Sequence, residues 1–214
     1  MSEHATLAGI AAPLPLSNLD TDQIMPKQFL FGIDKCGLAR GVLYDLRFDA
    51  SGAAREDFVL NKPDYAGARI LVTGANFGCG SSREHAVWGL QQAGIDAVIA
   101  PSFGEIFYFN AQNNRLLLIT LDESAIAALT ARVSDAKTNR LSIDVANQRV
   151  STSDGIHYAF DLPPRQKRMF IEGLDMIGMT LADSDAILAF EAKHEATHPW
   201  MKIDLPALRN TQAA

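Results

Sequence analysis

Three glycines, two adjacent serines and an arginine fall together at Gly74, Gly78, Gly80, Ser81, Ser82 and Arg83. This grouping suits an anion. Glycines let the backbone close around a bound group and take positive φ. The first amides of a helix lack internal partners and sit at the positive end of its dipole. A guanidinium adds a planar fork for a carboxylate or phosphate. The same residues also spell a capping box, with Ser81 as N-cap and Glu84 three residues on. Both readings stand on residue types alone. The glycines and the positive charge favour the anion, because plain capping needs neither.

Other chemistry-bearing residues are weaker. Asp22 lies in the polar run 17–22 and, taken alone, reads as a turn or cap residue. His194-Glu195-Ala196-Thr197-His198 matches the zinc-protease pattern H-E-x-x-H. Pro199 follows at once and biases His198 out of helical geometry, and Asp204 is the nearest further ligand, so no metal site is expected. The two cysteines, Cys36 and Cys79, are too few for a disulfide framework. They are also too few for an iron–sulfur cluster, which takes three or four thiolates. Cys79 reads as a small apolar residue in a tight turn rather than a reactive thiol.

The elements that must position the loop follow from periodicity. Residues 69–72 form a short β-branched run, read as a buried strand, and 86–90 have helical character, so the order is strand, glycine loop, helix. A first strand is expected within 6–16. Residues 97–100 and 116–121 read as further buried strands, 103–114 as a helix, and 122–136 as an amphipathic helix with Asp122 as N-cap. This succession predicts a parallel α/β layer. The pattern then changes: 141–145, the region around Val150 and 157–162 alternate as a β-meander, with turns at Asn147 and Asp154-Gly155. Pro163-Pro164 starts a helix holding Arg165, Lys167 and Arg168, and 180–197 forms a last one. Residues 41–63 read as loop, with a short strand at 58–60 and Arg40 and Arg47 on a solvated surface.

The chain has 214 residues, 48% of them hydrophobic and 21% charged, enough for one globular domain with an extension. A net charge of −6 argues against nucleic acid as a partner. No apolar run approaches the ~20 residues that span a membrane, and the first residues lack a secretory pattern, so a cytoplasmic location and no membrane partner are expected.

The run from Asn76 through Phe77, Gly78, Cys79, Gly80, Ser81, Ser82, Arg83, Glu84 and His85 to Ala86 resembles the signature of the swivelling domain of the aconitase superfamily. Within it, the chain is most similar to the small subunits of 3-isopropylmalate dehydratase (isopropylmalate isomerase). The resemblance extends to 18–30, to 100–103, to Asn113-Asn114 and to 173–175, and so covers nearly the whole chain. It implies an α/β fold of the aconitase-type swivelling β/β/α kind, a parallel α/β layer with a β-meander, as one domain over 1–214 with a C-terminal helical extension. It implies a hydro-lyase of leucine biosynthesis that interconverts 2- and 3-isopropylmalate and is active only with a large subunit, as heterodimer or heterotetramer. That large subunit would carry a 4Fe-4S cluster; this chain would bind no metal.

By residue-level match, the resemblance makes Ser81 the base, Arg83 the clamp on a substrate carboxylate, and Asp22 a group that orients the site. Ser82 and Gly80 belong to the substrate's hydrogen-bond network, and Glu84 and His85 to the scaffold. Aconitase-like members carry an arginine after the Thr-Asp pair, to read an extra carboxylate. Residues 25–35 here contain none. Phe29, Leu30, Phe31 and Ile33 make that loop apolar, which suits an isopropyl-sized arm.

Rival readings are the same chemistry on a citramalate- or methylmalate-type acid, a nucleotide-binding module, a serine hydrolase, and a purely structural subunit. The fingerprints G-x-G-x-x-G, G-x-x-x-x-G-K-[ST] and G-x-S-x-G are all absent.

Overall fold

Strand β1 (Thr6–Leu14) divides a seven-stranded sheet into two styles of pairing. On one side it runs parallel to β2 (Ile70–Thr73), which continues parallel to β3 (Ala97–Ala100) and β4 (Leu117–Thr120). On the other it runs antiparallel to β5 (Arg140–Asp144), followed by β6 (Arg149–Thr152) and β7 (His157–Ala159). The order is β4-β3-β2-β1-β5-β6-β7. The expected parallel layer and meander are therefore halves of one sheet. The computed structural model describes residues 6–30 and 35–201.

Alternating side chains on the parallel strands feed two cores. Leu71, Val98 and Leu118 point into one, with α3 (Glu84–Gln92) and α4 (Glu105–Asn113). Ile70, Val72, Ile99 and Ile119 point into the other, with α5 (Glu123–Val133). Strands buried on both faces need continuous apolar runs, which is why β2 and β3 carry no exposed residue. Asp122 caps α5 by accepting from the Ala125 amide at 2.8 Å, as its position predicts.

Several local expectations are corrected. Residues 58–60 form no strand; Val59–Asn61 is a 3-10 turn, and Asn61 donates to the carbonyls of Arg47 and Arg55 instead of joining a ladder. The stretch 41–63 also contains a short helix, α2 (Tyr44–Arg47). Arg47 is half-buried there, donating to Asn61 Oδ1 at 3.1 Å, and burial lowers its pKa below the usual arginine value. Arg40 is exposed. Pro163-Pro164 opens α6 (Pro164–Glu172), as expected.

The chain divides into two compact units, Met1–Asp175 and Met176–Ala214. The second holds α7 (Met176–Ala182) and α8 (Ser184–Thr197), so the single helix expected over 180–197 is interrupted at Asp183. α8 ends at Thr197 and His198 leaves helical geometry (φ −135°, ψ 61°), as Pro199 requires.

Candidate functional site

The glycine loop leaves β2 and is held at three levels before α3 begins. Asn18 donates its amide to the Ala75 carbonyl at 2.8 Å, and the two side chains of Asn18 and Asn76 meet at the same distance. Gly78 donates to the Leu19 carbonyl at 2.7 Å, and Phe77 exchanges backbone bonds with Ser102 and Gly104. Thr21 then donates its amide to the Cys79 carbonyl at 2.9 Å and its hydroxyl to the Ser81 carbonyl, also at 2.9 Å. Gly78 has φ +75°, and a Cβ there would lie 2.3 Å from the Phe107 ring. Only glycine meets both conditions.

The partner element is α1 (Thr21–Ile24), a single turn closed by a capping box between Asp20 and Gln23. It brings two neighbours to the loop. Thr21 is buried and holds Ser81 through its carbonyl. Asp22 pairs with the Arg83 guanidinium. The Arg83 side chain is 14% exposed and the Asp22 side chain 44%. Asp22 Oδ1, the oxygen that faces Arg83, is shielded from water, and the rest of the carboxylate stays open. Arg83 also reaches the Met25 carbonyl at 3.5 Å.

The structure overturns the capping box expected at Ser81 and Glu84. α3 starts at Glu84, its N-cap is Arg83 with no side-chain cap, and the Glu84 carboxylate accepts from Asn114 instead. Ser81 is tied back to Thr21 and follows Gly80 at φ +87°, which keeps it outside the helix. Gly80, Ser81 and Ser82 are exposed. The first amides of α3 thus remain free of a side-chain cap, the condition under which a helix end serves an anion. Ser81, Arg83 and Asp22 are brought together, with Gly80 and Ser82 beside them.

The apolar loop is only partly described. Phe29 closes a 3-10 turn (Lys27–Phe29), packs on Tyr44 with centroids 5.0 Å apart, and with Leu30 is half-buried against the core. Phe31 and Ile33 lie outside the described residues. The turn starts from Met25-Pro26, next to the carbonyl that Arg83 reaches.

Thr21 is a neighbour of the candidate site that residue types alone did not single out. Its signal was adjacency to Asp22 in the polar run 17–22; its pairing with Ser81 spans the chain. Among the described residues, no three His, Cys, Asp or Glu side chains gather as metal ligands. Cys36 is exposed and Cys79 partly so, and two thiols do not fit the donor set of an iron–sulfur cluster. No helix among the described residues is long and apolar enough to cross a membrane. A cavity of about 610 Å³ between Pro15, Pro101 and α5 reaches the loop only at Gly74 and Ala75. Among the described residues, Gly80, Ser81 and Ser82 lie exposed, outside that cavity.

Comparison with known proteins adds to this geometry. The aconitase C-terminal domain model matches residues 1–124, and the model of the C-terminal domain of 3-isopropylmalate dehydratase small subunits matches residues 176–204. A 3-isopropylmalate dehydratase small subunit 1 from Chromobacterium violaceum is 58% identical over 214 residues, covering all of both chains. One from Mannheimia succiniciproducens is 48% identical, covering 95% of this chain and 100% of the relative. The crystal structure of a 3-isopropylmalate dehydratase from Methanocaldococcus jannaschii aligns with a TM-score of 0.62 and 27% identity, covering 87% of this chain and 99% of that one. The shared sheet has the swivelling β/β/α architecture. The chain belongs to the family of 3-isopropylmalate dehydratase small subunits, within the aconitase superfamily.

Proposed function

We propose that this chain supplies one half of a hydro-lyase site that converts 2-isopropylmalate to 3-isopropylmalate in leucine biosynthesis, with a large iron–sulfur subunit supplying the other half. The observation that carries this reading is the open surface on which Ser81 stands beside an Arg83 guanidinium already oriented by Asp22. An exposed base next to a sheltered clamp is a half-site that a second chain closes.

Ser81 removes the proton from the carbon beside a carboxylate, and the hydroxyl leaves from the adjacent carbon, giving an alkene diacid and water. Readdition of water with the opposite orientation returns the proton to the carbon that bore the hydroxyl. Serine is a poor base in water. It serves here because aimed donors, the amides at the start of α3 and Arg83, stabilise the alkoxide. Arg83 clamps a carboxylate with the edge of its guanidinium that Asp22 does not occupy. Gly80 and Ser82 contribute hydrogen bonds to the same substrate. Phe29 and Leu30 form part of an apolar wall for the isopropyl arm, in a loop without an arginine to hold a further carboxylate. A 4Fe-4S cluster on the partner would supply Lewis-acid chemistry at the leaving hydroxyl.

The test is an anaerobic assay of this chain mixed with a cluster-loaded large subunit, following alkene absorbance from 2-isopropylmalate, with citramalate and citrate as comparisons. Turnover that needs both chains and favours 2-isopropylmalate is expected. Turnover on citramalate alone would move the substrate and keep the mechanism. No turnover on any diacid, with complex and cluster intact, would overturn the reading.

A further inference from the structure

α3 carries Arg83 at its start, so the setting of this helix decides where the guanidinium points. One residue outside the glycine loop grips α3 on three successive turns. Asn114, the C-cap of α4, donates its side-chain amide to Glu84 Oε1 at 2.6 Å. Its side-chain carbonyl accepts from Trp88 Nε1 at 2.9 Å, and its backbone carbonyl accepts from Gln91 Nε2 at 2.6 Å. The second amide hydrogen goes to the Asn110 carbonyl at 2.9 Å. Both amide hydrogens and the oxygen are thus used, and the donor–acceptor pattern admits one orientation of the amide. Aspartate, of the same shape, could not donate to Glu84.

The other end of α4 touches the same loop. Phe107 fills the space beneath Gly78, while Asn114 grips Glu84, the residue immediately after Arg83. α4 therefore braces the loop before Ser81 and the helix after Arg83. We infer that Asn114 is a positioning residue for the carboxylate clamp: it acts through Glu84 to set the first turn of α3, and with it the direction of Arg83.

This inference rests on the reading of Arg83 as the clamp, and the test separates the two. Asn114→Asp, Arg83→Lys and the double variant Asn114→Asp/Glu84→Gln are assayed as complexes with the large subunit, with thermal unfolding of each. In Asn114→Asp two carboxylates meet; kcat/KM for the diacid is expected to fall about 10- to 100-fold, the scale of a misplaced reacting geometry, with a raised KM. In the double variant glutamine donates to the new carboxylate, and KM is expected to return toward that of the parent. A merely structural role would lower the active fraction, and so apparent kcat, at unchanged KM. A KM that stays within twofold in Asn114→Asp while Arg83→Lys raises it would overturn the inference alone. An unchanged KM in Arg83→Lys would overturn the clamp, and the inference with it. Should Asn114→Asp fail to assemble, Glu84→Ala cuts the same link from the α3 side and is read by the same KM criterion.

Discussion

Asp22 and Arg83 come from distant parts of the chain and form an ion pair at the edge of the glycine loop. The pairing leaves the carboxylate half open and the guanidinium largely sheltered, so Asp22 holds the arginine while water is mostly kept from it. An ion pair with one partner half open to solvent is worth about 1 kcal/mol, or roughly 5-fold in an equilibrium. Asp22→Asn keeps the shape and removes the charge. It is expected to lower kcat/KM by about that factor, mainly through KM for the diacid. Arg83→Lys is expected to be at least as harmful, because a point charge cannot serve Asp22 and a substrate carboxylate from one rigid plane. Steady-state kinetics on the assembled enzyme check both; an Asp22→Asn enzyme with parental KM would remove Asp22 from the site.

Ser81 is exposed at its side chain and restrained at its carbonyl by Thr21. Ser81→Ala is expected to cut turnover by orders of magnitude, on the scale of about 10²-fold or more seen for loss of a proton-transfer group, while the complex with the large subunit still forms. Thr21→Val removes the hydroxyl, leaves the Ser81 carbonyl without that donor, and is expected to reduce kcat less than Ser81→Ala does. Activity of Ser81→Ala within a few-fold of the parent would mean that another group takes the proton.

The parallel strands were legible because burial on both faces demands unbroken apolar runs, and Ala97–Ala100 is bounded as read. The loop was legible from its glycines. The capping assignment failed for a reason a local pattern cannot carry. Asp20–Gln23 and Ser81–Glu84 have the same form, yet only the first closes as a box. The second loses Ser81 to Thr21 and Glu84 to Asn114, both long-range partners. Thr21 and Asn114 fall within the resemblance, but their partners were hidden for the same cause: these contacts run across the chain and leave no mark in periodicity. The one-turn helices at 21–24 and 44–47 are shorter than the window over which helical periodicity can be read.

Gly78 joins the backbone requirement of the loop to the packing of α4. Its φ of +75° costs a non-glycine residue about 1–2 kcal/mol, and a Cβ 2.3 Å from the Phe107 ring forces overpacking worth about 1–3 kcal/mol more. Gly78→Ala is expected to destabilise the chain by about 2–5 kcal/mol. Phe107→Ala removes Cγ and Cδ1, two of the three nearest atoms, and should relieve part of the second cost but not the first, so the double variant should lose less than the sum of the single losses. Chemical denaturation of the four chains measures this coupling; strict additivity would mean that the ring does not constrain the glycine.

Acid should weaken the fold through carboxylates far from the site. Asp122 is held below the usual carboxylate range by Ser124 and the Ala125 amide, Asp144 by the side chain and amide of Asn147, and Asp154 by Thr152 and then Arg132. Each has a folded pKa below its unfolded value of about 3.9, so the unfolded chain takes up protons first as pH falls. Their stabilisation is fully present above about pH 5 and is lost as pH drops through 4 toward the folded values. The thermal midpoint is therefore expected to be flat between pH 7 and 5, as far as these groups go, and to fall below about 4. Asp144→Asn should lie below the parent at pH 7, and the gap should close as the pH is lowered. A gap that stays constant from pH 7 to 3 would mean that Asp144 contributes through shape alone, not through its charge.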